Sequence, residues 1–293
     1  MLTYLDRREN RIHKPGNKPN NNHARELLEL HSLGVNGGYS QNDVMEFALC
    51  LSGLRIGRGL FQNGKAQFKT GLHDSGKKLV LGQAIPARKG MDGRKDLDNV
   101  LLIVASLTST ARHIATKLCR RFIDDEPPSA AIDAVATRFS RSDGSIPEVL
   151  RTLFYTEAFR RHRGGKFKEP MHLIASALRV TDAETDARRP LLNFFTRMGH
   201  MPFEYPSPDG YEDAADAWQV TLLWRWCFAA RLGCKQIKWT NLNRSLLAKR
   251  SGGLAKLVAH ILNRKPRAEE LAAAEASDNP VGLLLASPGF QWS

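Results

Sequence analysis

Apolar residues recur at helical spacing along most of the chain. Between residues 22 and 33, leucine and alanine stand at every third or fourth position, and a glycine then ends the pattern. Ser40, three residues before Asp43, resembles a capping box at the start of a second helix. Residues 22–54 are therefore predicted to form a helix pair.

The stretch 55–95 breaks this pattern. Glycine is frequent there, apolar residues are scattered, and the segments at Phe61, Phe68 and Leu79–Leu81 are predicted to be short strands or extended loop. The stretch is longer than an ordinary connection, and such segments are often functional.

Helical periodicity returns at Asp96 and continues to the C-terminus. After two apolar stripes over 97–122 and shorter helices near 132–139 and 145–159, helices are predicted at about 168–181, 187–198, 213–233, 241–249, 253–263 and 267–275. Residues 1–21 are predicted to be an irregular arm. The predicted fold is mainly α: a multi-helix domain with an irregular glycine-rich insertion at about 55–95, in which short strands are expected.

Composition agrees with a globular protein, because 42% of the 293 residues are hydrophobic and 25% are charged. No apolar run reaches eighteen residues, so no membrane-spanning helix is predicted. The first residues show no secretory-signal pattern. The four cysteines form no CxxC pair, and we expect Cys227 and Cys234, seven positions apart in a helical pattern, to be buried small hydrophobes.

The formal net charge of +13 suits binding to polyanions such as nucleic acid, anionic glycan or anionic lipid. Because the charge is spread along the whole chain, the alternative is that solvated lysine and arginine coat the helix surfaces. No helix-turn-helix, zinc-finger or aromatic–basic RNA signature is present, so we do not expect a nucleic-acid partner.

The first candidate site is the helix that begins at Asn22. Asn22, Glu26 and Glu29 share one face, with Arg25 beside them. In a functional site, Glu26 would be an acid or base and Arg25 would clamp an anion. The alternative is a surface ion pair between Arg25 and Glu29, with Asn22 as the N-terminal cap. A carboxylate metal site would need a Glu-x-x-His partner motif, which the sequence lacks, so no metal ligands are predicted.

The second candidate is the glycine-rich segment 68–82, which contains His73, Asp74 and Lys77. Histidine beside aspartate can relay protons or bind a metal, and Lys77 would contribute a basic contact. The alternative is a turn in which Asp74 caps a backbone amide.

Several stretches together resemble the bacterial family catalogued as domain of unknown function number 1800. They stand in the family's order and spacing: NNNHARELLELHSLGVNGGYSQNDVMEFALCLSGL at 20–54, HDSGKKLVLG at 73–82, STARHIATKLCRRFIDDEPP at 109–128, KEPMHLIASALR at 168–179, MGHMPFEYPSPDGY at 198–211 and LLASPGF at 284–290. The chain departs from the family pattern at Asn21 and Gly289, where the pattern has glutamate, at His23, where it has an aromatic residue, and at Arg55, where it has tryptophan.

The resemblance implies no established activity or cofactor, because the family is uncharacterised. It implies that residues 1–293 are a single incomplete family domain, the C-terminal two-thirds of a longer protein. Members are often predicted to be exported and often neighbour a gene for a secreted sulfatase-like protein. We therefore expect a periplasmic or extracellular location and a possible partner of that kind.

Three hypotheses for the function follow. The first is binding or processing of envelope or extracellular polyanions such as acidic polysaccharide. The second is a hydrolase that uses Glu26, His73 and Asp74, with Asn22, Arg25, Glu29 and Lys77 as binding residues, and it requires the two segments to meet. The third, from charge alone, is nucleic-acid binding.

Overall fold

The structure is a computed structural model that describes residue 10 and residues 18–57, 64–242 and 252–292. It is mainly α with short antiparallel strand pairs, which confirms the predicted fold class. The predicted helix at 241–249, Phe61 and most of the predicted N-terminal arm lie outside the described residues. Within the described ranges, no helix combines the length and the apolar character that crossing a membrane requires.

The chain divides into two compact units. The first consists of Met1–Cys119 and Pro128–Thr156, and the second of Arg120–Pro127 and Glu157–Ser293. That the chain as a whole forms one family domain stays a prediction.

The first unit holds six α-helices, two short 3-10 helices (Thr70–Leu72 and Gly90–Gly93) and two β-ribbons in its described part. The helices are α1 (Asn22–Glu29), α2 (Gln41–Cys50), α3 (Arg94–Ser106), α4 (Thr108–Phe122, which ends in the second unit), α5 (Ser129–Arg141) and α6 (Ile146–Tyr155). The ribbons pair β1 (Leu54–Ile56) with β2 (Ala66–Phe68), and β3 (Lys78–Val80) with β4 (Gln83–Ile85). Both ribbons lie in the stretch that was predicted to be irregular with short strands.

The capping box predicted for α2 is present. The Ser40 hydroxyl accepts a hydrogen bond from the Asp43 amide, and the Asp43 carboxylate accepts one from the Ser40 amide. The other oxygen of Asp43 accepts a bond of 2.7 Å from the Leu81 amide. The cap therefore also fixes the turn of the second ribbon to the start of α2.

In strand β3 the side chains alternate between core and solvent. Lys78 and Val80 are buried, whereas Leu79 between them is 53% exposed. The apolar core of this unit packs α1, α2, α3 and the second ribbon together, through Ala24, Leu28, Leu33, Val44, Phe47, Ala48, Cys50, Leu51, Val80, Ile85, Val100 and Val104.

The end of α1 is held by α4. The carbonyl of Leu30, the C-cap residue of α1, accepts hydrogen bonds of 3.1 Å from both His113 Nε2 and Lys117 Nζ. Nearby, Gly34 has φ of +85°, and a Cβ there would lie 2.8 Å from His113 Nδ1. This glycine therefore serves both the backbone turn after α1 and the close approach of the His113 ring.

The second unit is built from nine helices and one short strand pair in its described part. They are α7 (Glu157–Arg161), α8 (Pro170–Val180), α9 (Arg189–Arg197), α10 (Asp216–Gln219), α11 (Leu222–Gly233), α12 (Leu254–Leu262), α13 (Ala268–Glu275), α14 (Pro280–Ala286) and α15 (Pro288–Gln291), with β5 (Glu184–Thr185) paired to β6 (Thr240–Asn241). Its largest apolar core packs α8, α9, α11, α12 and α14 together.

The helix predicted over 213–233 is wrong as a single element, because it breaks between α10 and α11. The Trp218 carbonyl accepts hydrogen bonds from both the amide and the hydroxyl of Thr221, which closes a tight turn there. Trp218 and Ala229 are buried, whereas Cys227 is half-buried and Cys234 is exposed, so the burial expected of Cys234 is wrong. Helices α14 and α15 were not predicted.

Candidate functional site

The polar face of α1 is largely engaged in packing. Arg25 Nη1 lies 3.1 Å from Glu29 Oε1, which confirms the predicted ion pair, and Arg25 Nη2 donates to Gln41 Oε1 of α2. Burial, the negative charge of Glu29 and a hydrogen bond to it raise the pKa of Tyr39. Arg25, which was predicted to bind an anion, thus already contacts Glu29 and Gln41.

The remaining candidates on α1 lie beside this pair. Asn22 is exposed and is the first helical residue rather than the cap, and its amide donates to Asn20 Oδ1. Glu26 is half-buried. Helix α1 packs on α2, and α2 packs on β3, which belongs to the second candidate segment. Helix α2 therefore connects the two candidate segments.

In the second candidate segment, Asp74 forms the predicted turn. Its Oδ1 accepts a hydrogen bond of 2.9 Å from the Gly76 amide. Lys77 is exposed, whereas the next residue, Lys78, is buried and lies 3.3 Å from the Asp74 carboxylate. The lysine engaged with this turn is therefore Lys78, one position beyond the predicted one.

Lys78 belongs to a buried charged cluster that the sequence did not predict. Its centre is Asp96, in the first turn of α3, with a fully buried side chain. Asp96 Oδ2 accepts from Lys78 Nζ at 2.8 Å and lies 3.3 Å from His73 Nε2, while Oδ1 accepts from Arg88 Nη1 at 2.6 Å. One carboxylate thus holds three basic side chains, two from the segment 68–82 and one from the loop that follows β4.

Both ring nitrogens of His73 face acceptors. Nδ1 lies 3.0 Å from the Ser52 carbonyl oxygen, which can only accept, so Nδ1 carries a proton. Nε2 faces the Asp96 carboxylate, which also accepts when ionised. The ring is therefore held between a carbonyl and a carboxylate.

Two glycines leave room for the His73 side chain. A Cβ at Gly53 would lie 3.0 Å from Cβ of His73, and a Cβ at Gly93 would lie 2.4 Å from its Cδ2. Gly53 also has φ of +80° and therefore favours glycine for its backbone as well. The ring is enclosed, and its side chain is only 2% exposed.

Replacing Gly93 by alanine is expected to destabilise the protein by about 1–3 kcal/mol, as overpacking substitutions do. The new methyl group would collide with the His73 ring, which Ser52 and Asp96 hold in place. Urea unfolding followed by far-UV circular dichroism measures the change. Gly71→Ala is the matched control, because a Cβ there meets nothing within 4 Å. Equal stability of the two variants would contradict the prediction.

The cluster around Asp96 is suited to holding the fold together. It ties the β3 strand, the loop that carries Arg88 and the start of α3 to one buried carboxylate. A general acid or base must reach its substrate, whereas His73 and Asp96 are enclosed. The catalytic roles predicted for Glu26, His73 and Asp74 stay predictions.

A cavity of about 980 Å³ opens on the second unit and is lined by residues of two of the resembling stretches. Its walls include Lys168 from the stretch at 168–179 and Ser287–Phe290 from the closing stretch. The charged lining residues are Arg163, Lys168, Arg264, Arg267, Glu269 and Glu270, which leaves a surplus of two positive charges.

The cations of this cavity differ in their partners. Arg264 is paired with Glu270 through two hydrogen bonds, and Arg267 lies 3.7 Å from Glu269. Arg163 donates to the Asn263 carbonyl and, among the described residues, has no carboxylate partner. Two of the four cations are thus partly neutralised, and Arg163 remains available to an anion.

Lys168 is the most enclosed cation of the cavity. It is 8% exposed, and its Nζ lies 3.7 Å from the ring centroid of Phe290. Within the described ranges its amine makes no hydrogen bond and no ion pair. Burial lowers its pKa to about 8, because removal from water disfavours the charged form.

The backbone fixes Lys168 against the closing stretch. Its amide donates to the Gln291 carbonyl, and Phe167 forms an antiparallel bridge to Trp292. Lys166, Phe167 and Lys168 are all buried, and an alternation of three residues is too short to predict a strand, so the pairing has no clear local signal.

Gly289 also shapes the cavity. A Cβ there would lie 2.6 Å from Arg264 Nη2 and 3.3 Å from Glu270 Oε1, so the glycine leaves room for their ion pair.

Comparisons with known proteins give a family and no characterised relative. No curated protein and no solved structure matches the chain significantly. A family model described as "Protein of unknown function (DUF1800)" matches residues 1–292, nearly the whole chain. The chain that carries the buried Asp96 cluster and the basic cavity therefore belongs to the DUF1800 family.

Proposed function

We propose that this protein binds acidic polysaccharide in the basic cavity of the second unit. The observation that carries the proposal is the lining of that cavity, where Arg163 and Lys168 lack carboxylate partners among the described residues. Guanidinium groups match carboxylate and sulfate geometry, so Arg163 and Arg267 suit the charged groups of such a chain.

The size and the apolar surface of the cavity also support a sugar ligand. A volume of about 980 Å³ lies at the upper end of the roughly 300–1,000 Å³ typical of small-molecule sites, which suits a short oligosaccharide. Trp292 lines the cavity and is 36% exposed, so its ring offers a face to the C–H groups of a sugar. Charge and aromatic surface together favour an acidic glycan over a small inorganic anion.

The double variant Arg163→Ala with Arg267→Ala is expected to bind oligogalacturonate about tenfold more weakly, since exposed ion pairs contribute roughly 0.2–1 kcal/mol each. Isothermal titration at low and high sodium chloride measures the affinity. Binding should also weaken as salt rises, because exposed charges are screened.

The matched control is Lys95→Ala with Arg151→Ala. This pair removes the same charge from exposed positions of the first unit, where neither residue lines the cavity. An equal loss in both double variants would mean that net charge alone attracts the glycan. Equal affinity for neutral dextran oligomers would also contradict the proposal.

Export to the periplasm or the extracellular space, and assembly with a secreted sulfatase-like partner, belong to the same proposal. An acidic, sulfated or uronate-rich glycan is a substrate class that such a partner would share. Detection of the protein in periplasmic and secreted fractions tests this part.

A further inference from the structure

Lys168 differs in its surroundings from the exposed lysines of this protein. Its Nζ lies against the face of Phe290, at the wall of the basic cavity, and it lacks an acceptor among the described residues. Arg163, Arg264 and Arg267 line the same cavity. Amines that are desolvated or placed near other cations are the ones that proteins use as nucleophiles.

The free-base form of this amine is well populated near neutral pH. With a pKa of about 8, roughly a tenth of Lys168 is unprotonated at pH 7, against less than about a thousandth of an ordinary lysine. The lone pair on Nζ is therefore available, and the side chain has no ion pair within the described ranges that must break before it reacts.

We propose that Lys168 is a nucleophilic amine that forms an imine with an anionic aldehyde or keto acid bound in the cavity. In this step Nζ attacks the carbonyl carbon and forms a C–N bond. The carbonyl oxygen leaves as water with the two protons of the amine, and a C=N bond remains. No oxidant or reductant is needed.

The cavity provides for the anionic part of such a ligand as well. Arg163 is exposed and free of a carboxylate partner among the described residues, so it suits the carboxylate of a small carbonyl acid. The reducing end of a uronate oligosaccharide belongs to this chemical class, because its open-chain form carries an aldehyde. Imine formation shares the cavity with the proposed function but does not depend on polysaccharide binding.

The test is labelling of the wild-type protein with glyoxylate and cyanoborohydride at pH 7. Cyanoborohydride reduces the imine to a stable secondary amine, and peptide mass spectrometry then measures the labelling rate of each lysine. We expect Lys168 to be labelled at least about tenfold faster than the exposed Lys77 and Lys95, because far more of it is unprotonated. Lys168→Arg should remove this fast label alone.

A second pair of measurements tests whether the cavity prefers an anionic ligand. Propionaldehyde, an uncharged aldehyde, should label Lys168 more slowly than glyoxylate does, and Arg163→Ala with Arg267→Ala should reduce that preference. Labelling of Lys168 no faster than Lys95 would overturn the inference. Fast labelling without any preference for glyoxylate over propionaldehyde would show that the cavity does not select an anionic ligand. Absence of oligogalacturonate binding by the wild-type protein would refute the proposed function and leave the labelling result unchanged.

Discussion

Asp96→Asn is expected to lower the free energy of unfolding of the first unit by about 3–5 kcal/mol, the cost of leaving buried charges without their partner. The side chain of Lys78 is fully buried against Asp96, and Arg88 is mostly buried. An asparagine amide supplies no negative charge, and its NH₂ group would face the donors that now point at Oδ2. Arg88 would therefore lose its carboxylate partner, and Lys78 would keep only the partly exposed Asp74 carboxylate at 3.3 Å.

Urea unfolding followed by far-UV circular dichroism measures this loss. Asp92→Asn is the matched control, because it makes the same chemical change four residues earlier, on an exposed side chain whose partner Lys95 is also exposed. The control should leave the unfolding curve almost unchanged. A loss of under about 1 kcal/mol for Asp96→Asn would show that the cluster does not stabilise the fold, since even one lost hydrogen bond costs that much.

Raising the pH from 7 to 10 is expected to stabilise the second unit through Lys168, by about 2 kcal/mol. The pKa of this lysine is about 8 in the folded protein, and it returns to roughly 10.4 in the unfolded chain. Between these pH values the unfolded state binds more protons than the folded state does, so the free energy of unfolding rises with pH. Lys168→Met should lack this increment.

Tryptophan fluorescence follows the relevant unit, because all five tryptophans lie in it: Trp218, Trp224, Trp226, Trp239 and Trp292. Urea unfolding at several pH values between 7 and 10 gives the free energy of unfolding at each pH. The wild-type value should rise with pH toward that of Lys168→Met. Lys95→Met serves as the control, since Lys95 is exposed. Parallel stability curves for wild type and Lys168→Met would contradict a depressed pKa at this position.

Local signals predicted the first two helices well. Apolar spacing over residues 22–33 and the pair Ser40 and Asp43 depend on neighbours within a few positions. Both helices begin where they were expected, whereas α1 ends at Glu29, before the glycine that was predicted to end it. The same locality explains the Arg25–Glu29 pair, which needs only one turn of helix. The turn at Asp74 likewise depends on a single nearby amide.

The cluster around Asp96 could not be predicted in the same way. Its members lie up to 23 residues apart, and only the folded ribbon brings Lys78 to the carboxylate. In the run Lys78-Leu79-Val80, neighbouring apolar residues do not reveal which face of the strand is buried, so Lys77 and Lys78 could not be told apart. The cavity similarly depends on the bridge from Phe167 to Trp292, which joins positions 125 residues apart.

The shared acceptor at the end of α1 joins two family stretches. His113 and Lys117 belong to the stretch at 109–128, whereas Leu30 and Gly34 belong to the one at 20–54. The two stretches are separate in the sequence but form a single contact in the fold. The Leu30 carbonyl accepts the hydrogen bonds, and the absence of a side chain at Gly34 leaves room for the His113 ring. A chimera that exchanges one stretch between family members must therefore bring the other stretch with it.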